Sequence, residues 1–284
     1  MIVRTLVALS IVFLAYPPSA RAQTHPGLAF DETVHSTRGL NSSSDSSPSS
    51  VLHFTTSRGN VRIDVEGALP EAGSLPTGNG RSVMLLTDSG ATITFINVAQ
   101  KQYMSIKPGA MMEGVKKMME AMGGKIVIDT AGTRLALDSL GPGPVIDGHP
   151  TMHYRLKTSL RMTMAMMGDS QTMEQEAVED IYAGTDLADL TDLSLSMNRL
   201  ADIGQMVGLA PDFMERAKAL QKKIPGLPVR VTKVQTVTAQ GRTRSTTEDI
   251  TVSNVRRLQV PDSVFAIPAG YTPIAMPNMP SVEP

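Results

Sequence analysis

Met162, Met164, Met166 and Met167 lie close together, with His149 and His153 just upstream. Thioethers and imidazoles are soft ligands suited to Cu(I). On a strand, Met162, Met164 and Met166 share one face and His153 takes the other, so packing on a sheet explains the same spacing without a metal. Glu174, Glu176, Glu179 and Asp180 form a second group. They could ligate a cation or work as paired acid and base. They can equally face Arg155, Lys157 and Arg161 across an antiparallel pair, each exposed contact contributing about 0.2–1 kcal/mol. Asp186, Asp189 and Asp192 resemble a loose calcium cluster but lack the Gly and terminal Glu of a calcium loop. As the first turn of a helix they would instead suit its dipole. Gly78-Asn79-Gly80-Arg81 has no following Lys-Ser or Lys-Thr, and neither Gly-x-Ser-x-Gly nor His-Glu-x-x-His occurs. The chain reads as a protein without catalytic residues and without a cofactor.

The element that must position these groups is the stretch Met152–Met166. Its even positions are Met152, Tyr154, Leu156, Thr158, Leu160, Met162, Met164 and Met166. Its odd positions include His153, Arg155, Lys157 and Arg161. Alternation of period two makes this a strand with one apolar and one basic, wet face. At about 3.3 Å per residue it spans about 50 Å, longer than most strands, and so must bend or curl.

The formal net charge of −1 becomes −3 once Arg4 and Arg21 are removed with the first 22 residues, which argues against nucleic acid as a partner. Trp is absent and aromatics are 4 %, so base stacking is poorly served. There is no Cys, which excludes disulfides and thiol chemistry. Arg4, the apolar run Leu6–Tyr16 and Ala20-Arg21-Ala22 read as a signal peptide over residues 1–22, too short for a membrane span. The expected location is therefore periplasmic or secreted, with no membrane span after cleavage.

Residues 23–50 contain a Ser-rich run and read as a flexible tether. A half-barrel domain is expected over 51–274, followed by a Pro-rich tail over 275–284. Strands are expected at Val51–Thr56, Asn60–Val65, Ser82–Thr87, Thr92–Asn97, Gln102–Ile106, Lys125–Thr130 and Arg134–Leu140. Leu227–Ala239 and Thr243–Val260 form a closing hairpin. Its alternation slips at Val231–Val234 and Val252–Val255, which points to bulges. Met111, Met112, Val115, Met118, Met119 and Met122 recur at helical spacing, as do Leu190, Leu193, Met197, Leu200 and Val207. A third helix opens at Pro211, with Phe213 inward, and is stopped by Pro225-Gly226.

The ending "PDSVFAIPAGY", the segment "GLPVRVT", the meander "VMLLTDSGATITFINVAQKQYMSI" and the opening "GPVIDGHPTMHYRL" resemble uncharacterised bacterial secreted proteins related to the periplasmic lipoprotein-carrier (Lol-type) half-barrel family. The resemblance covers roughly residues 51–273. It implies an α+β fold: a strongly curved antiparallel half-barrel with helices covering its open face and an apolar cavity between them. The carriers of that family hold acyl chains there. The candidate cavity residues on the helices are Met111, Val115, Met118, Met122, Met197, Leu200 and Phe213. On the long strand they are Met152, Tyr154, Leu156, Leu160, Met162 and Met164. Met is unbranched and adaptable, so the same residues can line a cavity or fill a core. The expected partner is a hydrophobic small molecule or lipid, with an envelope protein as a further possibility. The competing readings are a periplasmic Cu(I) protein and an interaction module presenting the basic stripe.

Overall fold

A computed structural model describes residues 23–39, 50–66, 81–110, 113, 114, 117, 123, 125–129, 132–166, 169–190 and 211–274. Strand β1 is Thr24–Gly39. A meander follows: β2 (Ser50–Ser57), β3 (Asn60–Glu66), β4 (Ser82–Thr87), β5 (Thr92–Asn97) and β6 (Gln102–Ile106). The second half comprises β7 (Lys125–Ile128), β8 (Arg134–Pro142), β9 (Thr151–Met166), β10 (Asp169–Gly184), β11 (Pro228–Ala239) and β12 (Arg242–Pro261). A short β13 (Thr272–Pro273) is the last strand, and an α-helix, α1, runs Pro211–Gln221.

All thirteen strands join one sheet in the order β13-β6-β5-β4-β3-β2-β1-β12-β11-β10-β9-β7, with β8 also on β9. Every pairing is antiparallel except that of β13 with β6. β7 and β8 share the outer edge of β9 end to end: β7 against Met162–Ala165, β8 against Met152–Ser159. The path does not close on itself.

β1 joins the two halves, pairing with β2 on one side and β12 on the other. This corrects the expected tether over 23–50, of which residues 24–39 are a central strand. The run Leu28-Ala29-Phe30-Asp31-Glu32-Thr33-Val34 does alternate, but Glu32 interrupts its apolar set and the adjoining Ser run masks it. Residues 1–22, 40–49 and 275–284 lie outside the described residues.

The core follows from the register. Phe30 faces Phe54, which faces Ile63, then Met84, Phe95 and Met104, a continuous apolar row across six strands. Phe30 is 1 % exposed and stacks on Phe54 at 4.8 Å. A second row runs Leu28, Thr56, Val61, Leu86, Ile93 and Ile106. Leu187 from the 3-10 turn Thr185–Leu190, Leu227, Val229 and Val252 pack into the same cluster. This inner face is thus covered by other parts of the sheet and its turns. The meander is buried on its other side too: Val83, Leu85 and Ile96 pack with Tyr103 and Tyr271. There the segment after β12 crosses β3, fastened by a 3.2 Å bond from Arg62 to the Val264 carbonyl.

The expected α+β architecture with helices over the open face is not found; the fold is mainly β. Among the described residues α1 packs against β8 at the margin, and Ile224 just beyond it fills a small cluster with Tyr154, Ile181 and Ala183. Residues 108–110, 113, 114 and 117 are helical. Where Asp186 and Asp189 were expected to open the helix carrying Leu190, the chain forms a 3-10 turn, and 191–210 lie outside the described residues. The physical reason is economy of backbone bonding. Strands of 12–20 residues satisfy their amides with one another, and the sheet's own turns and ends cover its core.

The expectation of a large bent sheet fits the irregularities. The register slips between Ala29 and Asp31, opposite Asn254, whose φ is +55°. Asn254 Nδ2 donates to Asp31 at 2.7 Å and its amide donates to Asp147 at 3.0 Å, which fixes the bulge. Other shifts occur at Tyr182/Ala183 and Ser139/Gly141. Such bulges bend a strand and increase its twist. The slip at Val252–Val255 coincides with the Asn254 bulge. The slip at Val231–Val234 does not mark one: β11 pairs with β12 without a break from Arg230 to Ala239, and Val234 is simply exposed on the outer face.

Candidate binding face of the sheet

The long strands carry the apolar face onward from the core. Tyr154 faces Ile181, then Val231, Ile250 and Val34, one apolar rung across β9, β10, β11, β12 and β1. The next rung is different in kind: Leu156, Glu179, Lys233, Glu248 and Ser36. The face read as greasy from β9 alone therefore carries a charged band where its partners cross it. Lys233 Nζ lies 3.7 Å from Glu179 Oε1.

Of the candidate residues, Tyr154 and Leu160 are buried, and Met152, Leu156 and Met162 are partly so. Tyr154, Met152 and Leu156 pack with Ile224, Leu137 and Val231, so at that end they fill a core. Phe213 is half-buried on α1. Met111, Val115, Met118, Met122, Met197 and Leu200 lie outside the described residues, as does the side chain of Met164.

Two features were missed by sequence reasoning. A cavity of about 310 Å³ opens beside the turn Thr185–Leu190, between the ends of β1, β2 and β12. Leu28, Val61 and Leu190 give it apolar walls, with Arg257 among its lining residues. Asp189 holds Arg257 by two bonds of 2.7 and 2.9 Å, and this bond keeps the Asp189 carboxyl below its ordinary range. Gly27 is needed here, because a Cβ would strike the Thr56 carbonyl oxygen and the Val260 side chain. The second feature is Glu32, which lies on the inner face between Leu52 of β2 and Val252 of β12. Burial, and then repulsion from Glu248, push its carboxyl up to about 7. The alternation of Leu28, Phe30 and Val34 was the signal that could have placed it.

The outer face is neutralised. Asp180 accepts from Arg155 Nε at 2.9 Å and lies 2.7 Å from His153 Nε2, whose ring stacks on Tyr182 at 4.3 Å. Burial pushes the Asp180 carboxyl up, but the Arg155 and His153 bonds outweigh it and hold it below its usual value. Glu174 meets Arg161 at 3.4 Å as the register required, while Lys157 is met at 3.1 Å by Asp138 of β8. Glu179 points the other way, to Lys233. Asp180→Ala should therefore cost about 1–2 kcal/mol at neutral pH, since it strands two donors. Asp138→Ala, which removes one exposed pair, should change stability by about 0.5 kcal/mol or less. Urea denaturation of both variants checks the contrast.

The other sequence-level sites do not assemble as cation sites. Asp186 lies 2.8 Å from His149 Nδ1 and Asp189 is bound to Arg257, so neither faces a shared point. Among the described residues no group of three or more His, Asp or Glu side chains could hold a metal ion. His153 is on the opposite face from Met162 and is engaged by Asp180. Among the described residues no helix is long and apolar enough to cross a membrane.

The class these features define is a mainly β protein built on one large, open antiparallel sheet with a partly uncovered apolar face. No protein-family model matches the chain, and no curated protein matches it.

Proposed function

We propose that this is an exported, non-enzymatic protein that holds a hydrophobic ligand, such as a lipid or an acyl chain, against the inner face of its sheet. The observation that carries this reading is the cavity of about 310 Å³ walled by Leu28, Val61 and Leu190, at the low end of the range for small-molecule sites. It continues the apolar rows of the core instead of interrupting them. The partly covered Val34, Val231 and Ile250 extend the same face toward β9. Resemblance to secreted half-barrel proteins of the carrier type supports the ligand class. The basic outer stripe does not favour the interaction-module reading, because acids answer Arg155, Lys157 and Arg161.

The test is native mass spectrometry of protein produced with its own N-terminal segment and recovered from the export compartment. A bound amphiphile is expected, and Leu190→Trp, which fills the cavity, should reduce its occupancy. Absence of any amphiphile, both as purified and after incubation with mixed lipids, overturns the reading.

A further inference from the structure

One apolar rung of the inner face ends in a cation. Across β12, β1, β2 and β3 the register sets Arg257, Leu28, Thr56 and Val61 opposite one another. Directly opposed residues share a face, so Arg257 stands at the end of the row that Leu28 and Val61 build. All four line the cavity of about 310 Å³, and Leu190 adds a further apolar wall. A second cation reaches the same space from the β2–β3 hairpin. Arg58 and Gly59 form the two-residue turn between Ser57 and Asn60, both at positive φ, and both line the cavity.

The charges around this space do not balance. Two guanidinium groups and no acid are among the lining residues. Arg257 donates twice to Asp189, and a guanidinium has further N–H donors. Arg58 Nη1 donates to His25 Nε2 at 3.0 Å, so its partner there is a neutral ring nitrogen. That ring lies 3.6 Å from Asp262, on its other side. Among the described residues no carboxylate pairs with Arg58.

We infer that the cavity takes a single-chain amphiphile with an oxyanion head, the head on Arg58 and the alkyl chain against Leu28, Val61 and Leu190. This rests on the reading above that the face holds a hydrophobic chain, and it adds the chemistry of the head. A guanidinium presents parallel N–H groups that match two oxygens of a carboxylate or a phosphate. Arg257, already half neutralised by Asp189, adds a weaker attraction. The volume is at the low end for small-molecule sites and suits one chain, not a diacyl lipid. An ammonium head would meet two like charges.

The experiment is calorimetric titration of delipidated full-length protein at pH 8, below micelle-forming concentrations, with decanoate, decyl phosphate, decanol and decyltrimethylammonium. Both anions should bind roughly tenfold more tightly than the alcohol, the ammonium should bind least, and the order of the two anions tells a carboxylate head from a phosphate. Arg58→Asn should bring the anions down to the level of decanol and leave decanol binding in place. Asn is a residue that such turns favour, so this variant should melt no lower than the wild type. Asp189→Asn, which leaves Arg257 without its countercharge, should tighten anion binding several-fold. Equal binding of anion and alcohol, or an anion preference that survives Arg58→Asn, overturns the inference and leaves the hydrophobic-ligand reading standing. Failure of all four probes to bind overturns both.

Discussion

Phe30→Ala unfolds with about 3–5 kcal/mol less stability than the wild type, the cost of removing a fully buried aromatic ring from a packed core. Phe30 is the first member of the six-strand apolar row and stacks directly on Phe54. It also sits at the junction of the sheet's halves, where the bulge opposite Asn254 leaves little freedom for neighbours to collapse into the gap. For a chain of this size the loss corresponds to a fall in melting temperature of roughly 6–20 °C. Val178→Ala is the control. Val178 is 39 % exposed on the outer face, and its loss should change stability by about 0.5 kcal/mol or less. Urea denaturation with an unchanged slope is the measurement. Equal effects of the two substitutions would mean that β1 is not the buried centre of the sheet.

Glu32→Gln makes the protein more stable at pH 8, by about 3 kcal/mol, and leaves it almost unchanged near pH 4.5. The folded protein holds the Glu32 proton up to about 7, against an ordinary value of 4.5. Between those values the native state binds more protons than the unfolded chain. Stability from this group therefore falls as pH rises from about 4.5 to about 7, and the full penalty is present above that window. Gln has a similar shape and no charge, so it removes the penalty. The paired acids act in the opposite direction. For Asp31 and Asp64, burial raises the carboxyl but the bonds to His53 and Asn254, and to Arg62 and Arg81, outweigh it. Both end below the ordinary value of 3.8, so their contribution is present above it and is lost on acidification. The wild type should accordingly be most stable in mildly acidic solution, and the variant should keep that stability to higher pH. Thermal melts across pH 4–9 read both curves, and parallel curves would show that the folded sheet does not raise the Glu32 carboxyl.

Most of the strands could be read from residue spacing. β4, β5 and β6 begin and end at the expected residues, β9 starts one residue early, and β12 is longer by one residue at each end. The turn at Gln240-Gly241 is where the hairpin was expected, with both residues at positive φ as a tight primed turn requires. Period two, Gly and Asn punctuation and the stop at Pro225-Gly226 are local properties, and local sequence carries them. That acids of β10 would answer bases of β9 was also legible, but the individual pairs were not: Arg161 meets Glu174 and Arg155 meets Asp180, while Glu179 faces Lys233.

What the sequence determined alone was most of the strands, β1 excepted, and the alternation of apolar and polar residues within each. Tertiary structure decided which strands meet, and that settled the site. β1 becomes the centre of the sheet only because β12 and β2, from distant parts of the chain, supply its backbone partners. Glu32, a residue that looks like an interruption in a weak strand, is thereby fixed on an apolar wall. Glu248 reaches the same wall from 216 positions along the chain. A face's chemistry is the sum over neighbouring strands, and pairing between remote strands is set by burial and backbone hydrogen bonding that no single segment encodes.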